Sequence, residues 1–190
     1  MRVIAGSARR LNLVTPKGLE TRPTGDKIKE TLFNILAPYV YDVDFLDLFA
    51  GSGGIGIEAL SRGARSCTFV EKSKDALDCI RKNLTTTGFT QKATVVNSDV
   101  CAALYNLRPK NTYDIVFMDP PYGNDLEKPV LSILKKTDII DKDTLIIVEA
   151  QSDTDFSFAA SYGYSVERVK DYKNSKHVFL RLEDNSAEED

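Results

Sequence analysis

Five short apolar runs punctuate the chain: Phe45-Leu46-Asp47-Leu48-Phe49, Ser66-Cys67-Thr68-Phe69-Val70-Glu71, Ala93-Thr94-Val95-Val96-Asn97, Tyr113-Asp114-Ile115-Val116-Phe117-Met118 and Thr144-Leu145-Ile146-Ile147-Val148-Glu149. They are rich in β-branched and aromatic residues, and most do not alternate with polar ones. Such runs are expected of parallel strands covered by helices on both faces. The segments between them carry helical signals. Ile57-Glu58-Ala59-Leu60 follows the first run, and Ser73 predicts the cap of a helix reaching roughly to Leu84, ahead of Gly88. Further helices are predicted over Val100–Leu107 and Leu126–Lys135. Near the end, Tyr164–Tyr172 and Lys176–Leu182 alternate as two antiparallel strands joined by Lys173-Asn174-Ser175. Ahead of the first run, Arg2–Ala5 and Leu11–Val14 predict a hairpin. Ile28, Leu32, Ile35 and Leu36 then share one face of a helix over Asp26–Leu36, which ends before Pro38 and is capped by Thr24 or Asp26. The order is α/β: five strand–helix units and a closing hairpin, with no internal repeat or linker.

Composition narrows the class. At 190 residues and 42% hydrophobic the chain can bury a sizeable core. No apolar stretch is long enough to cross a membrane, and the N-terminus is polar within two residues, so neither a span nor a secretory signal is expected. Three widely spaced cysteines (Cys67, Cys79, Cys101) and one histidine, His177, form no zinc pattern. They read as buried thiols in a reducing, cytoplasmic setting, with no metal, and His177 reads as structural. The net charge of −3 is unevenly spread. Residues 1–38 hold seven Lys/Arg against three Asp/Glu, whereas residues 183–190 hold five acids and no base. A basic front end (1–38), a central domain (39–182) and a disordered acidic tail (183–190) are compatible with one face binding a polyanion. Arg9 and Arg10, at the tip of the first hairpin, suit phosphate contact.

Candidate chemistry gathers at the ends of the apolar runs. Gly51, Gly53 and Gly56 satisfy G-x-G-x-x-G between a strand and a helix, a spacing that fits a nucleotide or nucleoside cofactor without saying which. Glu71 ends the second run, fifteen residues after Gly56, where a carboxylate can accept from both ribose hydroxyls. Asp99 follows the third, able to accept from an adenine amino group or to cap a helix. The fourth run stops at Asp119-Pro120-Pro121-Tyr122, because two prolines cannot continue a strand. Asp119 and the Pro120 carbonyl could accept both protons of a planar amino group while Tyr122 stacks on the ring that carries it. Two acceptors pulling on those protons as the nitrogen pyramidalises favour the transition state over the ground state. A polar strand end followed by a proline-rich turn, with Tyr122 as ordinary packing, explains these four residues equally well on their own.

Taken together, these four strand-end features resemble the S-adenosylmethionine-dependent amino-methyltransferases. Thr21-Arg22-Pro23-Thr24-Gly25-Asp26-Lys27-Ile28-Lys29-Glu30-Thr31-Leu32-Phe33-Asn34-Ile35-Leu36 is similar to the N-terminal signature of the RsmD family, bacterial 16S ribosomal RNA (guanine-N2)-methyltransferases. Leu46–Gly53, Glu58–Arg62 and the opening Arg2–Gly6 match that family too, so the likeness covers roughly residues 2–182. It implies a Rossmann-like class I methyltransferase: a seven-stranded, mostly parallel sheet with a reversed last strand and an N-terminal hairpin–helix extension. It implies S-adenosylmethionine as cofactor, S-adenosylhomocysteine as product and no metal. The partner would be 16S ribosomal RNA, alone or within the small subunit, and the protein a monomer. Asp47, Gly51, Ser52 and Gly53 would hold the methionine moiety, Glu71 the ribose, and Asp99 with Val100 the adenine. Asp119, Pro120, Pro121 and Tyr122 would present the guanine, and Arg22, Thr24 and Lys27 would line the pocket from the N-terminal side. The turn after Tyr172 lacks the family's glycine, so no target contact is assigned to it. An adenine N6 or protein amide target, an NAD-dependent oxidoreductase and a non-catalytic RNA-binding protein are the rival readings.

Overall fold

The computed structural model describes residues 1–16 and 23–183, with Pro23 and Thr24 described through their backbone only. The expected contributions of Arg22 and of the Thr24 side chain, and the tail beyond Glu183, lie outside the described residues. Seven strands form one sheet: β1 (Asp44–Leu48), β2 (Ser66–Glu71), β3 (Ala93–Asn97), β4 (Ile115–Met118), β5 (Leu145–Gln151), β6 (Tyr164–Asp171) and β7 (Ser175–Leu182). Their order is β3-β2-β1-β4-β5-β7-β6. β1 to β5 pair in parallel, while β7 returns antiparallel between β5 and β6. This is the expected α/β sheet with a reversed last strand. Helices α1 (Pro23–Leu36), α2 (Gly54–Ser61), α3 (Lys74–Thr87), α4 (Val100–Asn106) and α5 (Glu127–Leu134) connect or flank the strands.

Strand parity explains the apolar runs. Phe45, Phe69, Ile115, Phe117, Ile147 and Phe179 face one core, shared with the first hairpin, α1, α2 and α3. Leu46, Leu48, Val70, Val116, Met118, Ile146 and Val148 face the other, beneath α4 and α5. Both faces are covered, so both parities are apolar.

Several boundaries differ from expectation. The opening hairpin has one bridge pair, Arg2 with Asn12, held by Val3 N–H to the Leu11 carbonyl and Leu13 N–H to the Met1 carbonyl, and between them its chain turns aside to bond α2. The Ile4 and Ala5 N–H groups donate to the Glu58 carboxylate at 2.8 and 3.0 Å, and the Ser61 hydroxyl donates to the Ala5 carbonyl at 2.6 Å. α1 begins at Pro23, a residue suited to a first helical position. Its buried face is Lys29, Leu32, Phe33 and Leu36, with Ile28 and Ile35 at the margins. The Ser73 side chain makes no cap bond; its N–H donates to Glu71 Oε1 at 2.8 Å instead. Tyr113 and Asp114 precede β4 rather than opening it, and the Tyr113 hydroxyl donates to Thr68 Oγ1 at 3.0 Å. Of the cysteines only Cys67 is fully buried, Cys79 and Cys101 being half-exposed at their helices.

Candidate active site

The sheet reverses direction of growth between β1 and β4, and such switch points are where open α/β sheets bind ligands. Leu48 pairs with Met118, so the glycine turn after β1 and Asp119-Pro120-Pro121-Tyr122 after β4 leave the sheet side by side. Glu71 ends β2 on the other flank of β1, and Glu149 lies beyond Val148, the β5 partner of Met118. Three acids, Glu71, Asp119 and Glu149, therefore line one edge.

The glycine turn is built for close approach. Gly51 and Gly53 take φ of +54° and +80°, which L side chains rarely adopt, and a Cβ on Gly51 would meet nothing within 4 Å. That turn thus presents bare backbone to open space. Gly56 does the opposite job: a Cβ there would lie 2.4 Å from Phe69 Cε1 and 2.5 Å from Cys67 Sγ, so only glycine seats α2 on β2. Glu71 clamps the turn, its Oε2 accepting from Gly51 N–H and its Oε1 from Lys72 and Ser73 N–H, each at 2.8 Å. A carboxylate has about four acceptor positions, so one remains for a ribose hydroxyl. Asn83, fully buried, donates to the Ser52 and Val14 carbonyls at 2.9 Å and ties the turn to the first hairpin.

Asp47 lies beneath the turn, 1% exposed, and its Oδ2 accepts from Gly56 N–H at 2.9 Å. Burial, which outweighs that hydrogen bond, and the nearby Glu71 charge push its carboxyl up to about 7. In the unfolded chain an aspartate titrates near 4. The folded state therefore holds the proton over the interval between, and this aspartate's contribution to stability falls as pH rises from about 4 to about 7. Asp47→Asn removes that slope: the unfolding free energy from urea titration should fall from pH 5 to pH 8 by roughly 2 kcal/mol more in the wild type than in the variant. Equal pH slopes for the two proteins would show that Asp47 carries no such proton.

Asp99 accepts from Cys101 N–H at 3.0 Å as the cap of α4, and its other oxygen lies 3.4 Å from Lys72 Nζ. Val100 is buried beside it. Asp119 is open to solvent on one side, and among the described residues no group donates to its carboxylate. Crowding by the cleft walls, then the charges of Glu149 and Asp47, push its carboxyl well above the usual range. Pro120 is buried, while the Tyr122 ring is 47% exposed rather than sealed in the core. Asn124 Nδ2 donates to the Pro121 and Tyr122 carbonyls at 3.2 and 3.4 Å and braces the turn. The Tyr122 hydroxyl is pushed up to about 12 by burial and by Glu149 and Asp119, and the Ser175 side chain lies close enough to oppose that shift. The last hairpin's turn, to which no target contact was assigned, therefore abuts the aromatic plate.

Other predicted residues lie apart. α1 runs beside α2 in the same direction, with Lys29 against Glu58 and Arg62 over the Phe33 ring at 5.1 Å. α1 therefore starts at the end of α2 that meets the glycine turn, and Lys27 is exposed near that start. Arg9 and Arg10 sit at the other end of α2, where Ser7 N–H donates to the Ser61 carbonyl at 2.8 Å. They are exposed but roughly 12 Å, the length of α2, from the glycine turn. Phosphate contact there would touch RNA away from the target nucleotide. A separate cavity of about 500 Å³ follows the face of β2 and β3 that short α4 leaves open, lined by Thr68, Thr94, Val96, Asn106 and Arg108 among others. It touches none of the site residues. Among the described residues no cluster of His, Cys, Asp or Glu could hold a metal, and no helix is long and apolar enough to cross a membrane.

Comparison with known proteins places nearly the whole chain in one family. The family model described as Conserved hypothetical protein 95 matches residues 1–181. The chain is 40% identical over 156 residues to Ribosomal RNA small subunit methyltransferase D of Haemophilus influenzae, covering 80% of each protein. It is 40% identical over 152 residues to the protein of the same name from Escherichia coli K12, covering 80% of this chain and 75% of that one. The solved structure of Escherichia coli yhhF, described as a candidate methyltransferase, superposes with a TM-score of 0.81 at 33% identity, over 96% of this chain and 98% of that one.

Proposed function

Since the chain belongs to the RsmD family of ribosomal RNA small-subunit methyltransferases, we propose that it moves the methyl group of S-adenosylmethionine onto the exocyclic N2 of a guanine in 16S ribosomal RNA. The observation that carries this reading is the juxtaposition, at the β1/β4 switch point, of a bare glycine turn and an acceptor–aromatic corner. The cofactor supplies an electrophilic methyl carbon on a sulfonium sulfur. Asp47, Gly51, Ser52 and Gly53 would hold its amino-acid end, Glu71 its ribose, and Asp99 with Val100 its adenine; Thr24 and Lys27 would flank it.

On the target side, Tyr122 stacks on an unpaired or flipped guanine. Asp119 and the Pro120 carbonyl accept from the two N2 protons. The bound cofactor would give up its methyl to the N2 lone pair as its C–S bond opens, and the extra proton on N2 would pass to water. Orientation of two bound reactants supplies roughly 7–11 kcal/mol of the barrier, so no strong base and no covalent enzyme intermediate are needed.

Calorimetry separates this reading from an oxidoreductase: S-adenosylhomocysteine binds and NADH does not. The reverse result would reject the methyltransferase assignment. Removal of the stacking plate gives a further check. Tyr122→Ala should raise the KM for RNA by about 10- to 100-fold, the equivalent of roughly 1–3 kcal/mol of stacking, whereas Tyr122→Phe stays within a few-fold. Equal KM values for the alanine variant and the wild type would remove Tyr122 from the target site.

A further inference from the structure

Glu149 lies at the carboxyl end of β5, one strand over from Asp119. β7 places His177 directly opposite it. His177 is fully buried, with Nε2 3.1 Å from Glu149 Oε2 and Nδ1 3.0 Å from the Tyr172 hydroxyl. A carboxylate can only accept, so Nε2 carries a proton toward Glu149, and Nδ1 shares the other hydrogen bond with the Tyr172 hydroxyl. The edges of Phe117 and Tyr172, with ring centroids 6.0 and 5.1 Å away, hold the imidazole in place. Glu149 is thus fixed through one oxygen, and among the described residues its Oε1 forms no hydrogen bond. The strand pairing of β5 with β7 runs from Ile146 to Gln151 and already secures the hairpin, so a buried histidine is not needed for that purpose. Glu149's charge is felt by Asp119 and Tyr122, the two groups that face the target.

We propose that Glu149, held in place by His177, is a second acceptor for the target base and takes the N1–H of guanine. This rests on the guanine-N2 reading above and adds the means of choosing the base. Guanine offers two amino protons and an adjacent N1–H along one edge; adenine offers an amino group beside a bare N1 lone pair. An amine held by Asp119 and Pro120 therefore places either a proton or a lone pair next to the second carboxylate. The first is bound and the second repelled, which is discrimination by an unfavourable contact as well as by a favourable one.

The test uses small-subunit RNA in which the mapped target guanosine is exchanged, by ligation, for 2,6-diaminopurine riboside. That base keeps the 2-amino group but has no proton on N1. Wild-type enzyme should methylate it with kcat/KM about 10- to 100-fold below that for guanosine, the range of one well-placed polar base contact. In Glu149→Gln, with its amide oxygen held by His177, an N–H₂ replaces the acceptor. Guanosine activity should fall about 10- to 100-fold, the preference should narrow or invert, and S-adenosylhomocysteine affinity should stay within about two-fold of wild type. A wild type that methylates both RNAs equally overturns the proposal without any variant. So does a Glu149→Gln enzyme that keeps the wild-type ratio between the two bases. Absence of N2-methylguanosine from the wild-type reaction on natural RNA would instead reject the underlying function.

Discussion

Asp119→Ala lowers kcat for methyl transfer by about 10²- to 10³-fold, the loss typical of removing one preorganised polar group from a transition state, while S-adenosylhomocysteine still binds. The reason is the corner's geometry. Asp119 takes no hydrogen bond from the described residues, so its acceptor capacity is free for a ligand, and it leaves the sheet beside the glycine turn. Its raised carboxyl also sets a sign. Acceptance needs the ionised form, so activity falls as pH drops through a value well above the ordinary aspartate value of about 4. Asp119→Asn should lose that acid limb along with most of the rate. A variant with near-wild-type turnover, or an asparagine variant that keeps the limb, would move the acceptor role elsewhere.

The second large effect is on stability. Glu58 is fully buried in α2 and accepts from Ile4 N–H, Ala5 N–H and Arg62 Nε, the last at 2.9 Å, with Lys29 Nζ at 3.4 Å. Lys29 is itself 4% exposed, and burial pulls its ammonium down against the opposing pull of Glu58. Glu58→Ala removes the acceptor of two backbone donors and of Arg62 Nε, and it strips Lys29 of its buried counter-ion while the ammonium keeps its bond to the Arg2 carbonyl at 2.7 Å. Breaking a buried pair in this way costs about 3–5 kcal/mol, which urea denaturation followed by circular dichroism would read directly. Adding Lys29→Met should restore part of the loss, because the remaining group is then apolar. A single-variant loss under about 1 kcal/mol would mean that water reaches the cluster.

Sheet and glycine turn were legible because their signals are local. A strand covered on both faces is apolar at both parities, and Gly56 is demanded by contacts with the next strand in order. The acid ending β5 carries the same local mark as Glu71 and Asp119: a carboxylate closing an apolar run. Its use was hidden, because it depends on His177, 28 residues later, arriving by antiparallel return in one particular register. Lys29 escaped for a similar reason: the apolar stripe of α1 does not reveal a lysine whose anion sits on α2. Arg9 and Arg10 read as a binding tip, yet the grip of Glu58 and Ser61 on the hairpin decides which end of α2 they reach. The Tyr172–Ser175 turn could not be placed beside Tyr122 before β7 was known to lie next to β5.

The central claim is tested most directly by the nucleoside that the enzyme makes. Purified protein is incubated with S-adenosylmethionine and small-subunit ribosomal RNA, free or assembled, from a strain lacking the enzyme. The digested RNA is then resolved by mass spectrometry. N2-methylguanosine, absent without enzyme and lost with Asp119→Ala, is the predicted product. N6-methyladenosine in its place, or no methylated nucleoside from either form of the RNA, would contradict the account.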